Sequence, residues 1–90
     1  MRNKPTLAEY IEELWEKGFK LSDEDVRFIY FGKKYTDAKE DLIIIALKTT
    51  LRIQRTFDGS FYISLLELLQ EKKVVSEKQA YAVLRKKGIM

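Results

Sequence analysis

The apolar and polar positions of the chain alternate at helical spacing in most of its length. Leu7, Tyr10, Ile11, Leu14 and Trp15 follow the i, i+3, i+4, i+7, i+8 series that lines one helical face. Glu9, Glu12, Glu13 and Glu16 fall on the opposite side. Thr6 and Glu9 have the spacing of a capping box, Pro5 blocks extension backwards, and Gly18 supplies a stop. A second helix is expected after Ser22, with Asp23, Glu24 and Asp25 in its first turn, where carboxylates meet the positive end of the helix dipole. Val26, Ile29 and Tyr30 form its inner face, Phe28 and Phe31 widen the apolar stripe, and Gly32 is read as its end.

Thr36 is read as the cap of a third helix, followed by Asp37, Glu40 and Asp41 and then the run LIIIALKTTLRIQRT. This segment supports two readings. Thr49, Thr50, Ile53 and Thr56 are β-branched, and Asp58-Gly59 is a hairpin signal, so Thr50–Phe57 can pair with Ser60–Ser64 as a short central β-hairpin in a winged-helix-like fold. The favoured reading is a long helix ending near Thr56. Ser60 then caps a fourth helix from Phe61 to Lys72, whose stripe is Phe61, Leu65, Leu68 and Leu69. Val74 and Val75 form a buried turn. Ser76 and Gln79 repeat the capping-box spacing, and Ala80, Val83 and Leu84 line a fifth helix closed by Gly88.

The expected fold is therefore all-α, one compact five-helix domain over residues 1–90, ending in a helix-turn-helix-like pair. Its core is assigned to Leu7, Ile11, Leu14, Trp15, Val26, Ile29, Leu42, Ile45, Leu65, Leu68, Leu69, Val75, Ala80, Val83 and Leu84. Thr6–Lys33 placed on Ser60–Lys87 aligns caps, core positions and turns without a gap, although only Glu13, Leu14, Ser22 and Lys33 meet identical residues. Any two capped helical hairpins with similar turns give such an echo, so it supports helix at Phe61–Ser64 without establishing a duplication.

Composition sharpens the functional side. Hydrophobic residues make up 46% and charged residues 34% of the 90 positions, the balance of a folded chain. Cysteine and histidine are absent, which removes disulfides, thiolate and imidazole metal ligands, and the usual general base. The pattern contains no phosphate-binding glycine loop, no dinucleotide fingerprint and no zinc-protease motif. The expectation is a non-enzyme with no cofactor, no small-molecule substrate and no membrane span, located in the cytoplasm. Charge is unevenly placed. Met1–Ile45 has eight Lys/Arg against ten Asp/Glu, net −2, whereas Ala46–Met90 has nine against four, net +5.

That basic half carries the candidate chemistry. On the fifth helix Lys78, Ala82 and Arg85 point away from the core stripe, flanked by Gln79, Tyr81 and Lys86. Lysine and arginine neutralise phosphates, arginine and glutamine read base edges, and alanine permits close approach. Lys72 and Lys73 precede this helix and Arg55 ends the central segment, so all eight cationic and polar side chains are candidate contacts to double-stranded DNA. A solvated helix end rich in lysine looks the same in sequence. Phe28, Phe31 and Tyr35 in RFIYFGKKY form a second candidate, a partner surface that points to a homodimer or to a protein-interaction module. Asp37 and Asp41, four apart, suggest at most a weak Mg²⁺ site. The leading expectation is a small DNA-binding regulator of transcription or replication, and the alternative a helical interaction or oligomerisation module.

Overall fold

The computed structural model describes residues 4–89, and within them the chain forms five α-helices and no strand. Residues 1–3 and 90 of the expected domain lie outside the described residues. The helices are α1 (Leu7–Glu16), α2 (Asp23–Thr36), α3 (Glu40–Gln54), α4 (Gly59–Glu71) and α5 (Glu77–Lys86).

Helix α3 is the centre. Leu42 to Leu47, Thr49, Thr50 and Leu51 are all buried, and Lys48 alone interrupts the run. A helix apolar on every side is one surrounded by protein, which is why LIIIAL shows no single stripe. All four other helices pack on α3. Three consecutive isoleucines and two threonines lower its intrinsic helix propensity, but burial overrides a preference of tenths of a kcal/mol per residue. Thr50 donates its hydroxyl to the Ala46 carbonyl at 2.8 Å, so its polar atom is satisfied inside the helix.

The central hairpin is thus corrected to helix, loop and helix. Asp58-Gly59 does not make a tight strand turn. Asp58 is the N-cap of α4, its carboxylate accepting from the Phe61 N–H at 3.1 Å. Gly59 opens the helix against the Phe28 ring, where an added Cβ would approach to 2.8 Å. Ser60, expected as the cap, lies inside the first turn of α4.

Two other boundaries move. Gly32 does not end α2. It is buried in mid-helix, where a Cβ would meet Tyr62 Cε2 at 2.7 Å and Leu66 Cδ1 at 2.9 Å. The glycine is there for close approach of α2 to α4. Thr36 is the last residue of α2 instead of the cap of α3, and Lys39 occupies that N-cap with no side-chain bond. Asp37 sits between the two helices in the left-handed region at φ 55°, so it does not share a helical face with Asp41.

The core assignment fails at two places. Trp15 is 49% exposed and Val75 61% exposed. Leu14 and Ile11 already close α1 onto α3, leaving Trp15 on the flank, and Val74 is the member of the valine pair that turns inward. Leu21 and Tyr62 join the core unforeseen.

Helices α1, α4 and α5 end in the same way. In each, the second residue past the cap returns an N–H to a carbonyl five residues back: Phe19 to Leu14, Val74 to Leu69, Ile89 to Leu84. The left-handed position is Gly18 in α1 and Gly88 in α5, but Lys73 in α4. Lys17 therefore corresponds to Lys72, one position out of register with the matching caps Ser22 and Ser76, and the α4–α5 connection is one residue shorter than the α1–α2 connection. The gapless echo does not hold through the turn.

Candidate functional site

The cations of the last third of the chain are set by how α4 ends and α5 begins. After the left-handed turn at Lys73, Val74 plugs into the core and Ser76 caps α5 by accepting from the Gln79 N–H at 3.2 Å. Ala80 and Leu84, both fully buried, fasten α5 to the core. That fixes the opposite face, and Lys78, Ala82, Arg85 and Lys86 are all exposed on it.

Lys72, Val83, Lys86 and Lys87 line one cleft of roughly 480 Å³ between the end of α4 and the outer side of α5. Three ammonium groups and a valine line it, and no carboxylate does. Among the described residues the ion pairs join Lys4 to Asp41 and Glu77, Lys17 to Glu13, and Lys33 to Glu40. None of these draws on the cations around α5. Lys87, the C-cap of α5, is exposed and completes the cleft.

The remaining predicted contacts are dispersed. Lys73 lies with Lys39 and Gln70 in a separate depression beside Ala38 and Val75. Gln79 turns its amide carbonyl back to accept from the Val75 N–H at 2.9 Å, completing the cap. Tyr81 is half-buried in a cleft between α1, α3 and α5 whose walls hold Glu13, Asp41 and Glu77. Lys4 is seated there, 2.8 Å from Glu77 and 3.4 Å from Asp41, and these carboxylates hold its ammonium pKa above the usual value. Arg55 terminates α3 in the left-handed region at φ 64°. So Lys72 and Lys86 share one cleft, Lys78 and Arg85 share the outer face of α5, and Arg55, Lys73, Gln79 and Tyr81 face other surroundings.

The aromatic candidates form a second, separate face. Tyr62 is fully buried and donates to the Ile29 carbonyl at 2.7 Å, and burial pushes its phenol pKa up. From Tyr62 the rings step outward: Phe28 at 6.3 Å, then Phe31 at 5.8 Å from Phe28, then Tyr35 stacked on Phe31 at 5.7 Å with 13° between planes. Phe28 is half-buried, whereas Phe31 is 53% and Tyr35 56% exposed. These three side chains line an open groove with Gly59, Ser60, Ile63 and Glu67 of α4.

Glu40, expected only as a first-turn carboxylate, ties three helices. One carboxylate oxygen accepts from the Leu7 N–H at 2.8 Å and the other from Lys33 at 2.7 Å. The Lys33 bond first, and then the Leu7 N–H, hold its carboxyl below the usual carboxylate range.

Among the described residues no cluster of three or more acidic side chains is arranged to hold a metal ion, and no helix is long and apolar enough to cross a membrane. The model of a family described as of unknown function, DUF6123, matches residues 1–90. No curated protein and no solved structure matches the chain.

Proposed function

We propose that this chain, which belongs to the DUF6123 family, is a non-enzymatic DNA-binding protein that presents the outer face of α5 to a duplex. The role suggested is that of a small cytoplasmic regulator acting in transcription or replication. The observation that carries the reading is the cleft of Lys72, Lys86 and Lys87, which no carboxylate lines and whose cations no ion pair engages among the described residues. Such a cleft suits a backbone phosphate, and Lys78 and Arg85 extend the positive surface along the helix. In this reading α4 and α5 act as the helix-turn-helix-like pair, with Lys72 at the phosphate and Arg85 at a groove edge. Tyr81 and Gln79, engaged elsewhere, have a smaller part than Lys78 and Arg85. A helical protein-interaction module is the second reading, favoured by the stacked, exposed pair of Phe31 and Tyr35.

A fluorescence-anisotropy titration with a labelled duplex at two salt concentrations tests the first reading. With about four phosphates contacted, affinity should fall about a hundredfold between roughly 50 and 200 mM salt. The double variant Lys72→Gln/Lys86→Gln should lower the salt slope by about two while leaving sequence preference unchanged. Micromolar protein that shows no salt-sensitive binding would overturn the proposal.

A further inference from the structure

The two long edges of α5 face opposite charge. Ala80 and Leu84 fasten the helix, so at about 100° per residue Ala82 points straight outward, with Lys78 and Lys86 on either side of it and Arg85 beyond Lys78. All four of these outer residues are exposed. One edge, Val83 and Lys87, looks onto the cleft shared with Lys72 and Lys86, where three lysines against no carboxylate give +3. Glu71, the carboxylate nearest in sequence, is exposed on the side of α4 opposite its buried face, about 100° round from Lys72.

The other edge, Glu77 and Tyr81, looks onto the cleft between α1, α3 and α5. Two lysines, Lys4 and Lys48, against three carboxylates, Glu13, Asp41 and Glu77, give −1 there. Lys4 is engaged by Glu77 and Asp41, and Lys48 lies over the Tyr10 ring, 5.8 Å from its centroid. The next cations, Lys17 and Arg52, line a depression that α5 does not, and Lys17 stands 3.9 Å from Glu13.

A helix seated in the major groove has a phosphate strand along each of its flanks. Helix α5 has one flank that suits a strand. Insertion would bring the second strand against Glu77 and Glu13, where like charges oppose it. Base readers are also few. Glutamine reads adenine with its amide oxygen and nitrogen together, and the Gln79 oxygen already accepts from the Val75 N–H in the α5 cap. Tyr81 lies on the acidic edge. Lys78 and Arg85 remain, and outside the groove both meet phosphates and not bases.

Resting on the DNA-binding reading above, we infer that the partner is double-stranded DNA of any sequence, held along one strand. Lys72, Lys86 and Lys87 take phosphates of that strand, Lys78 and Arg85 extend the contact along it, and the acidic edge keeps α5 out of the groove. Affinity then comes from charge neutralisation, which carries no sequence information. The regulatory role narrows to one without an operator sequence.

Selection of the full chain against a pool of random-sequence duplexes tests this. Repeated rounds at low salt should leave the affinity of the pool, read by anisotropy, within about twofold of its starting value, because specific sites bind at least about a thousandfold tighter than non-specific DNA. A selected pool that binds about tenfold tighter or more would overturn the inference and leave the DNA-binding reading standing. Arg85→Ala, at an exposed position, should weaken binding to A·T-only and G·C-only duplexes by the same factor, about threefold, with unchanged far-UV circular dichroism. A loss confined to the G·C duplex would reveal a guanine read by Arg85 and would also overturn it. A chain that binds no duplex at low salt removes the DNA-binding reading, and the inference falls with it.

Discussion

Gly32 shows how much one missing methyl group decides. Its Cα is the point where α2 touches α4, and the atoms it faces belong to Tyr62 and Leu66, which have no free space to retreat into. Alanine there gains about 1 kcal/mol of helix propensity but drives a Cβ into a fixed ring, and overpacking of this kind costs about 1–3 kcal/mol. Gly32→Ala should therefore lower stability by about 1 kcal/mol net, read as a lower urea midpoint at unchanged slope. In sequence a glycine followed by two lysines looks like a helix end. What distinguishes it is the partner, Tyr62, thirty positions away by rough count, and local spacing carries no information about that contact. Trp15 was misplaced for a related reason. It occupies an apolar position of the α1 stripe, but the stripe is wider than the face α3 covers, and the ring at its edge stays half in water.

At the scale of elements, three of the five N-caps were legible. Thr6, Ser22 and Ser76 each accept the expected backbone N–H, since these caps are local events completed within one turn. The start of α3 was not legible, because its N-cap Lys39 uses no side chain. A carboxylate further in, Glu40, instead fastens the α3 start to α1 through Leu7 and to α2 through Lys33. Its folded carboxyl lies below the usual range, so the folded state binds this proton less readily than the unfolded one. The stabilisation is complete above the usual carboxylate range and is lost as pH falls through the folded value. Glu40→Gln should cost on the order of 1 kcal/mol near neutrality, chiefly the charged acceptor of the Leu7 N–H, with the partly exposed Lys33 pair adding little. Urea titrations of wild type and variant at neutral and acidic pH check this: the gap should close as pH falls below the usual carboxylate range and through the lowered folded value. A gap that persists unchanged would assign the loss to packing.

For the whole molecule, the all-helical class followed from periodicity and caps, while the arrangement around α3 did not. The run LIIIAL has no periodicity to read because protein covers it on all sides. The candidate site was legible as composition, a basic half and an aromatic segment, but the grouping within it was not. Only the fold puts Lys87 beside Lys72 and sets Tyr81 in one cleft with Glu13 and Asp41. Native-state hydrogen exchange should show α3 opening only with global unfolding, and α1 and α5, each held mainly by α3, opening at lower free energy. Equal protection of α1, α3 and α5 would contradict a hub. The hub also has a kinetic meaning. In an up-and-down bundle, each helix finds its chain neighbour first, and folding proceeds by short loops. Here α1 packs mainly across α2 onto α3, and α5 across α4 onto α3, so the closing loops skip an element. Neither terminal helix pair can act as an independent nucleus. Assembly of α3 with α2 and α4 is therefore expected to limit the rate, with the basic α5 added afterwards, and φ-values near zero in α5 beside higher ones in α3 are the check.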